Sequence, residues 1–257
     1  MKLVVFASGS SGNCALVRGE DTSILIDAGI SLRRIRTALR AEGLDMDDIS
    51  GVLITHEHSD HIAALRMMAK YCRVPVFAPG TVAWHLDGQL PELGDRLRRI
   101  DENEEFCIGG LRVRAFPTPH DTDQSVGYRI DAEERRLGFC TDTGFVSETM
   151  LRNLAGCDAA LIEANHDLDM LRGGPYPFPL KRRILSERGH LSNDDCAALA
   201  CALAGSGTRD LVLGHLSRET NTPALALAAV RRALDANGYA DVAVHVAPVS
   251  GALHVEI

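Results

Sequence analysis

The sequence has no apolar run near the roughly 20 residues that a membrane-spanning helix needs. Its first ten residues contain only a short apolar stretch, Leu3 to Phe6, which is too short for a signal peptide and is typical of a strand. These two absences argue against a membrane protein and against a secreted one. We therefore expect the chain to act in the cytoplasm, without a membrane partner.

Paired cysteines are lacking as well. The seven cysteines are odd in number, are scattered along the chain and include no Cys-x-x-Cys pair. This pattern argues against a disulfide framework and against a cysteine-rich structural zinc site. It is typical of a protein in a reducing compartment.

The chain also lacks an excess of positive charge. Its 27 Lys and Arg residues face 35 Asp and Glu residues, which gives a formal net charge of −8. A broadly basic protein that coats nucleic acid is therefore excluded, although a local basic patch stays open. Apolar residues make up 46% of the 257 residues, enough for a buried core without disulfides. The length fits one large α/β domain or two small ones, and we expect a single domain over residues 1–257.

Short β-rich segments alternate with helical patterns, and no repeat or low-complexity linker separates them. Apolar runs predict strands at residues 3–6, 15–17, 23–27, 51–55, 111–116, 126–130, 136–140, 157–162 and 211–213. Caps and apolar spacing predict helices that begin after Ser31, near Ile62, after Ser192 and after Thr222. Two sheets packed face to face with helices outside fit this order, but periodicity alone does not exclude a doubly wound sheet.

Four potential metal ligands lie within six residues, directly after the strand predicted over residues 51–55. Alternate residues of an extended segment point the same way, so His56 and His58 can hold one ion, whereas Asp60 and His61 face a neighbouring position. Imidazole and carboxylate groups are ligands for borderline divalent metals. A polar loop with chance histidines is the alternative. Three of the ten histidines in six residues make metal binding the stronger interpretation.

One segment supplies too few ligands for two ions, so further ligands are expected at other strand ends. His120 follows the strand predicted over 111–116, Asp142 follows 136–140, and His215 follows 211–213. Each of them alone would more often be a surface histidine or a turn aspartate. Their shared position, immediately after an apolar strand, favours a role in the site.

The motif His-x-His-x-Asp-His, followed in order by His, Asp and His, resembles the metallo-β-lactamase superfamily over nearly the whole chain. The resemblance implies an α/β fold, the four-layer αββα sandwich, with two divalent ions. It implies the following ligands: His56, His58 and His120 for the first ion, Asp60, His61 and His215 for the second, and Asp142 between them. Asp27 matches an early motif that supports the site from behind, and a turn-capping aspartate is the alternative. Zinc is the expected metal, with manganese or iron as alternatives, because nitrogen and oxygen ligands accept all three.

The second half of the chain is similar to the nucleases of this superfamily. Glu163–Asp167, Gly189–Asn193 and Leu213–Arg218 resemble the order of motifs in tRNase Z and its relatives. Together with Ser8–Asn13 and Thr55–His61, they resemble the YycJ/WalJ family more closely. This resemblance implies a DNA exonuclease that acts from the 5′ end, with a role in DNA repair. The chain has no evident long arm for gripping tRNA, which weakens the alternative of a tRNA-processing enzyme.

Two residues are predicted to be catalytic. His190 matches the histidine that protonates the leaving oxygen or stabilises the phosphorane in tRNase Z-like enzymes. Asp60, besides ligation, is expected to orient the attacking hydroxide. A lone loop histidine would otherwise be a surface residue.

Basic and polar residues near His190 are predicted to contact phosphate. Lys181, Arg182 and Arg183 form a basic stretch, for which a solvated helix face is an equally good interpretation. The start of the helix at Ser192 and Asn193 offers free N–H groups to an anion. Arg218, just past His215, adds another possible phosphate contact.

Two alternatives to a nucleic-acid phosphodiesterase stay open. A small-molecule hydrolase of thioesters or lactones shares the His-x-His-x-Asp-His core, but it gives no reason for His190 and the basic stretch. A metal-binding module without turnover is disfavoured because the ligand set is complete. Neither DNA versus RNA nor the oligomeric state follows from the residues themselves.

Overall fold

The computed structural model describes residues 1–257, and contacts between residues divide the chain into two units. Unit 1 consists of Met1–Ala115, Thr122–Val126 and Pro248–Glu256, and unit 2 consists of Phe116–Asp121, Gly127–Ala247 and Ile257. A single domain over residues 1–257 stays a prediction. No helix is long and apolar enough to cross a membrane, and all seven cysteines are unpaired.

Unit 1 contains one sheet with helices packed on it. The strands of this sheet are β1 (Lys2–Ala7), β2 (Cys14–Arg18), β3 (Ser23–Ile26), β4 (Ile49–Leu53), β5 (Val76–Pro79), β6 (Leu97–Ile100) and β14 (Leu253–Glu256). Unit 1 also contains β7 (Glu105–Ile108) and the greater part of β8 (Leu111–Pro117), which pair antiparallel with each other and are not part of this sheet. Its helices are α1 (Leu32–Ala41), α2 (Ser59–Ile62), α3 (Leu65–Tyr71) and α4 (Gly80–Gln89), with 3₁₀ turns at Met46–Asp48 and Pro91–Arg96.

The sheet of unit 1 has the strand order β14-β1-β2-β3-β4-β5-β6. Strands β14 to β3 pair antiparallel, whereas β3 to β6 pair parallel. Parallel neighbours end at the same edge of a sheet, and ligands of such sheets bind beyond those carboxyl ends. The segment after β3 and the segment after β4 therefore leave the sheet side by side. The register pairs Ile26 with Leu53, so Asp27 comes beside Ile54 and Thr55.

Unit 2 repeats this plan. Its strands are the greater part of β9 (Val126–Ala132), β10 (Arg135–Cys140), β11 (Ala159–Glu163), β12 (Asp210–Gly214) and β13 (Ala243–Val246), in the order β13-β12-β11-β10-β9. Its helices are α5 (Glu148–Leu154), α6 (Leu168–Gly173), α7 (Phe178–Ile184), α8 (Asn193–Gly205) and α9 (Pro223–Ala236). Strands β10 to β13 are parallel, so the segments after β10, β11 and β12 also leave at one edge.

The helix ends follow the caps that the sequence predicts. The hydroxyls of Ser31, Ser192 and Thr222 accept hydrogen bonds from the backbone N–H three residues on, at 3.4, 3.1 and 3.2 Å. The apolar stripe of α1, Leu32, Ile35 and Leu39, is buried against the sheet of unit 1. The predicted starts of α1, α8 and α9 are thus confirmed, because the caps satisfy N–H groups that the helix itself leaves unpaired.

The helix predicted near Ile62 is interrupted in the structure. It is divided into α2 and α3 at Ala63 and Ala64, although the apolar spacing continues across the break. The N–H of Ala64 donates to the carbonyl of Ala28 at 2.8 Å, outside the helix. This bond ties the segment after β3 to the segment that carries the histidine cluster.

Gly29 lies where these segments meet. Its N–H donates to the carbonyl of Asn13, and the N–H of Asn13 donates to the carbonyl of Asp60, both at 2.8 Å. A Cβ at position 29 would fall on the carbonyl oxygen of Asp60, which is backbone and cannot rotate away. Only glycine lets the three segments approach so closely.

We expect Gly29→Ala to lower the free energy of unfolding by about 1 to 3 kcal/mol, the usual cost of an added methyl in a packed site. Gly88→Ala is the matched control, because no atom lies within 4 Å of a Cβ at this exposed position in α4. There the free energy of unfolding should rise by up to about 1 kcal/mol, since alanine favours a helix. Urea denaturation of both variants measures the difference. Equal free energies would show that the three segments can separate at no cost.

Candidate metal centre

The histidine cluster of unit 1 begins three residues after the end of β4. His56 is fully buried in the extended segment, and His58 ends that segment as the N-cap of α2. His56 Nε2 lies 3.0 Å from His58 Nδ1. Two nitrogens bound to one zinc-like ion at about 2 Å each lie roughly 3 Å apart. The spacing therefore fits a shared ion, as the alternation of side chains in an extended segment predicts.

Asp27 lies behind this cluster. Its fully buried carboxylate accepts hydrogen bonds from the backbone N–H of Thr55 at 2.9 Å and from the Thr55 hydroxyl at 3.0 and 3.1 Å. It also contacts His61 Nδ1 at 2.7 Å. Burial raises the pKa of the Asp27 carboxyl, although the His61 ring and the Thr55 bonds act against this rise. A proton on Nδ1 of His61 leaves the lone pair on Nε2, the form that a metal ligand needs.

Asn13 is a site residue that the sequence reasoning did not single out. Its amide Nδ2 lies 3.1 Å from His61 Nε2 and 3.3 Å from Asp60 Oδ2. Its Oδ1 accepts the N–H of Gly9 at 2.8 Å, which closes the glycine-rich turn after β1. The motif Ser8–Asn13 was the available signal, but nothing local in it shows which ligands the asparagine reaches.

Unit 2 gathers a second cluster at the ends of its parallel strands. One ligand atom each from Asp142, Glu163, His190 and His215 lies within 4.8 Å of the others. His215 Nδ1 is 3.4 Å from Asp142 Oδ1 and 3.0 Å from Glu163 Oε1. All four are buried or nearly so. Buried imidazole and carboxylate groups at this spacing fit a divalent cation.

Glu163 is the second residue that the sequence reasoning missed, although it is the first residue of the motif Glu163–Asp167. Its fully buried carboxylate accepts the N–H groups of Thr143 at 2.9 Å and Leu191 at 3.3 Å, and it contacts His190 Nδ1 at 2.7 Å. Burial alone would raise the pKa of Glu163, but the His190 charge and the side-chain hydrogen bonds with His190 and His215 lower it below its usual range. Glu163 ends β11 as Asp142 follows β10, so the strand-end rule was the signal that could have found it.

His120 belongs to the same unit. Its Nε2 lies 3.2 Å from Asp121 Oδ1 and 3.8 Å from Asp142 Oδ1, and its Nδ1 lies 3.2 Å from the carbonyl of Gly189. Burial lowers the pKa of His120, which favours the neutral imidazole that binds metals. The ring centroids of His120 and His190 are 5.1 Å apart.

His190 is held by Glu163 and is less buried than its neighbours. With Nδ1 occupied by the carboxylate, the ring has a fixed orientation, and its centroid lies 5.3 Å from that of His215. Burial lowers the pKa of His190, but the Glu163 charge and hydrogen bond outweigh this and raise it. The partly exposed ring of a histidine that favours the protonated form is suited to donating a proton.

Several residues that were predicted to bind phosphate make hydrogen bonds or ion pairs within the protein. The Ser192 hydroxyl is bonded to Asp195, and the Asn193 amide is bonded to Asn221 at 3.0 and 2.8 Å. On α7, Lys181 donates to the carbonyl of Arg172 at 2.7 Å and Arg183 pairs with Asp121. Arg182 and Arg218 are exposed. A contact between these residues and a substrate stays a prediction.

Comparisons with known proteins agree with this architecture. A family model described as the β-lactamase superfamily domain matches residues 22–216. The chain is 36% identical to "Exodeoxyribonuclease YycJ" of Bacillus anthracis, over 91% of this chain and 89% of that protein. It is 35% identical to "Exodeoxyribonuclease WalJ" of Streptococcus pneumoniae serotype 2 strain D39, over 88% and 85%.

A solved structure shows the fold independently of close sequence similarity. The metallo-β-lactamase fold protein YhfI of Bacillus subtilis superimposes with a TM-score of 0.73 at 17% identity, over 99% of each chain. The predicted fold class is thereby confirmed, and the fold implies divalent metal ions, which the histidine and carboxylate donors fit. The chain is therefore an enzyme of the β-lactamase superfamily, and within it belongs to the family of YycJ and WalJ.

Proposed function

We propose that this enzyme is a dinuclear metal-dependent phosphodiesterase that degrades DNA from the 5′ end. The observation that carries the proposal is the pair His190–Glu163 beside Asp142 and His215. Hydrolysis of a thioester or lactone gives no reason for an additional histidine held by a buried carboxylate. Cleavage of a phosphodiester does, because its leaving oxygen is a poor alkoxide that needs a proton.

The metal ligands in this proposal are those that the family resemblance implies. The following residues would hold the two ions: His56, His58 and His120 the first, Asp60, His61 and His215 the second, with Asp142 shared. When bound, two such ions activate a water molecule at neutral pH and neutralise charge on the phosphate oxygens. Zinc is the metal that the ligand set suits best, and manganese or iron are the alternatives.

Residues of the chain itself orient the attacking water and protonate the leaving oxygen. Asp60 orients the attacking water through its carboxylate, and Asn13, at 3.3 Å, fixes the direction of that carboxylate. His190 donates a proton to the leaving oxygen. Glu163 is a positioning residue, because it holds the His190 ring and favours its protonated form without itself touching the substrate.

DNA is favoured as the substrate by the two relatives, whose names describe exodeoxyribonucleases and which match most of the chain. A role in DNA repair stays a prediction from the resemblance of the motifs. A tRNA- or RNA-processing nuclease is the second candidate, since the chemistry at phosphorus would be the same. The small-molecule hydrolase is the third.

A substrate panel tests the proposal directly. The enzyme, supplied with zinc or manganese, is incubated with 5′-labelled double-stranded DNA, single-stranded DNA, RNA, a thioester and a lactone. We expect release of the 5′ label as short products from DNA, because digestion starts at that end. Turnover of only the thioester or the lactone would refute the phosphodiesterase. Turnover of RNA alone would favour the second candidate, an RNA-processing nuclease.

Asp142→Ala tests the dinuclear centre. We expect two ions per parent chain, fewer in the variant and no measurable turnover, because the shared carboxylate is lost while the fold remains. Elemental analysis gives the metal content and circular dichroism the fold. Asp235→Ala, at an exposed position of α9, is the matched control and should keep both ions. A single ion in the parent that survives in Asp142→Ala would contradict the model.

His190→Ala tests proton donation to the leaving oxygen. We expect kcat on DNA to fall by roughly 10²–10⁴-fold, the usual contribution of a positioned acid, with both ions retained. The loss on bis-p-nitrophenyl phosphate should be much smaller, because p-nitrophenolate leaves without a proton. Equal losses on both substrates would indicate phosphate binding instead. Loss of an ion would make His190 a metal ligand.

A further inference from the structure

Unit 1 contains a cavity of about 360 Å³ that the proposed catalytic residues do not use. It lies between α1 and the turn before β14. Its walls are mostly apolar, and its lining includes Phe6, Ile30, Ala38 and Ala41, with Arg33 and Arg34 also lining it. A mostly apolar cavity with two cations in its lining suits a ligand that has both a flat apolar part and an anionic group.

Helix α1 is strongly basic in an otherwise acidic protein. It carries four arginines and no acidic residue. Two of them have partners, because Arg36 Nη2 lies 3.8 Å from Cys72 Sγ and Arg40 pairs with Asp45 at 3.8 Å. The side chains of Arg33 and Arg34 are exposed and make no hydrogen bond or ion pair within the protein. These two guanidinium groups are thus available to an anion.

The cavity adjoins the segments that hold the histidine cluster. Phe6 precedes the turn Ser8–Asn13, whose Asn13 contacts Asp60 and His61. Ile30 follows Asp27 by three residues, and a Cβ on Gly12 of the same turn would meet Ile30 and Gly29. The cavity is therefore joined through one short turn to the residues proposed to hold the second ion.

We propose that this cavity binds one nucleotide of the nucleic-acid substrate, at a distance from the scissile bond. This inference rests on the proposed function. Arg33 and Arg34 bind a backbone phosphate, since guanidinium groups match phosphate oxygens in charge and geometry. The base lies against the apolar walls, which accept any base because they offer no hydrogen-bond pattern to read. Arg183 and Lys181 of α7 are engaged elsewhere, so α1 is the better source of cations for phosphate.

The first test removes the two charges. In Arg33→Ala/Arg34→Ala we expect KM for oligonucleotides to rise about 10-fold or more, with kcat retained. The slope of log affinity against log salt should become shallower by about 1 to 2, because fewer counterions are released. Arg73→Ala/Arg98→Ala is the control, since it removes two exposed arginines of unit 1 for which no partner is found. The rate of hydrolysis of bis-p-nitrophenyl phosphate should change less than 2-fold, because this substrate is too small to reach both the metal centre and the cavity.

The second test fills the cavity without changing its charge. Ala41→Phe, at an exposed position in the lining, should raise KM for oligonucleotides and leave the salt slope unchanged, because it displaces the base rather than the phosphate. Ala224→Phe adds the same side chain at an exposed position of α9 and should leave KM as it is.

The outcomes separate this inference from the proposed function. A parent enzyme that cleaves DNA, together with variants that behave like their controls, overturns the nucleotide site and leaves the phosphodiesterase intact. A parent that neither binds nor cleaves any nucleic acid overturns both. A third outcome is that the parent binds phosphatidylglycerol vesicles and that Arg33→Ala/Arg34→Ala loses this binding while DNA cleavage is unchanged. This result would show that the cavity contacts a membrane surface, and it would overturn the nucleotide site.

Discussion

Each unit depends on one buried carboxylate that holds histidines by their Nδ1 atoms. In unit 1, Asp27 contacts His61 Nδ1 at 2.7 Å, and in unit 2, Glu163 contacts His190 and His215 Nδ1 at 2.7 and 3.0 Å. Neither carboxylate is exposed to solvent. A buried charge is costly unless it is paired and hydrogen-bonded, so the neighbouring backbone has to supply donors. It does so through the N–H of Thr55 for Asp27 and the N–H of Thr143 and Leu191 for Glu163. The backbone that stabilises each carboxylate is the backbone that carries the site residues, so fold and site are stabilised by the same bonds.

The backbone at the strand ends is itself in an uncommon conformation. Asp27, Asp142 and His215 have φ values of 58°, 55° and 54°, and they are three of the five residues other than glycine with positive φ. Such a conformation costs free energy and persists where surrounding contacts impose it, as at functional sites. Each of these residues follows a parallel strand, and the reversal of the backbone there sends the side chain to the edge of the sheet. Aspartate and histidine tolerate this region better than β-branched residues, so the residue types that bind metals also suit the turn.

The sequence predicts the local part of the site and not the part that depends on distant contacts. His56 and His58 need only the extended segment after β4, and Asp142 and His215 need only the rule that parallel strands end together. The roles of Asn13 and Glu163 depend on partners 48 and 27 residues away, His61 and His190, which no periodicity reveals. The break between α2 and α3 was missed for the same reason, because the bond from Ala64 to Ala28 spans two strand ends. Caps and apolar stripes are short-range features, and the helices that carry them begin where the sequence predicts.

The basic residues show that the contacts a cation makes in the fold matter as much as its place in the sequence. The run Lys181–Arg183 is conspicuous in the sequence, yet Arg183 is paired with Asp121, 62 residues away. Arg188, just after the run, donates through Nε to the carbonyl of His120 at 2.8 Å and so fixes the backbone of a proposed metal ligand. Arg183 and Arg188 thus contact other groups of unit 2. On α1 the arginines are spread along the helix and less conspicuous, but two of them keep their charge available. In a chain of net charge −8, a polyanion is repelled by most of the surface, and cations with no internal partner decide where it can approach. The charge that matters for recognition is therefore the part that the fold has not already neutralised.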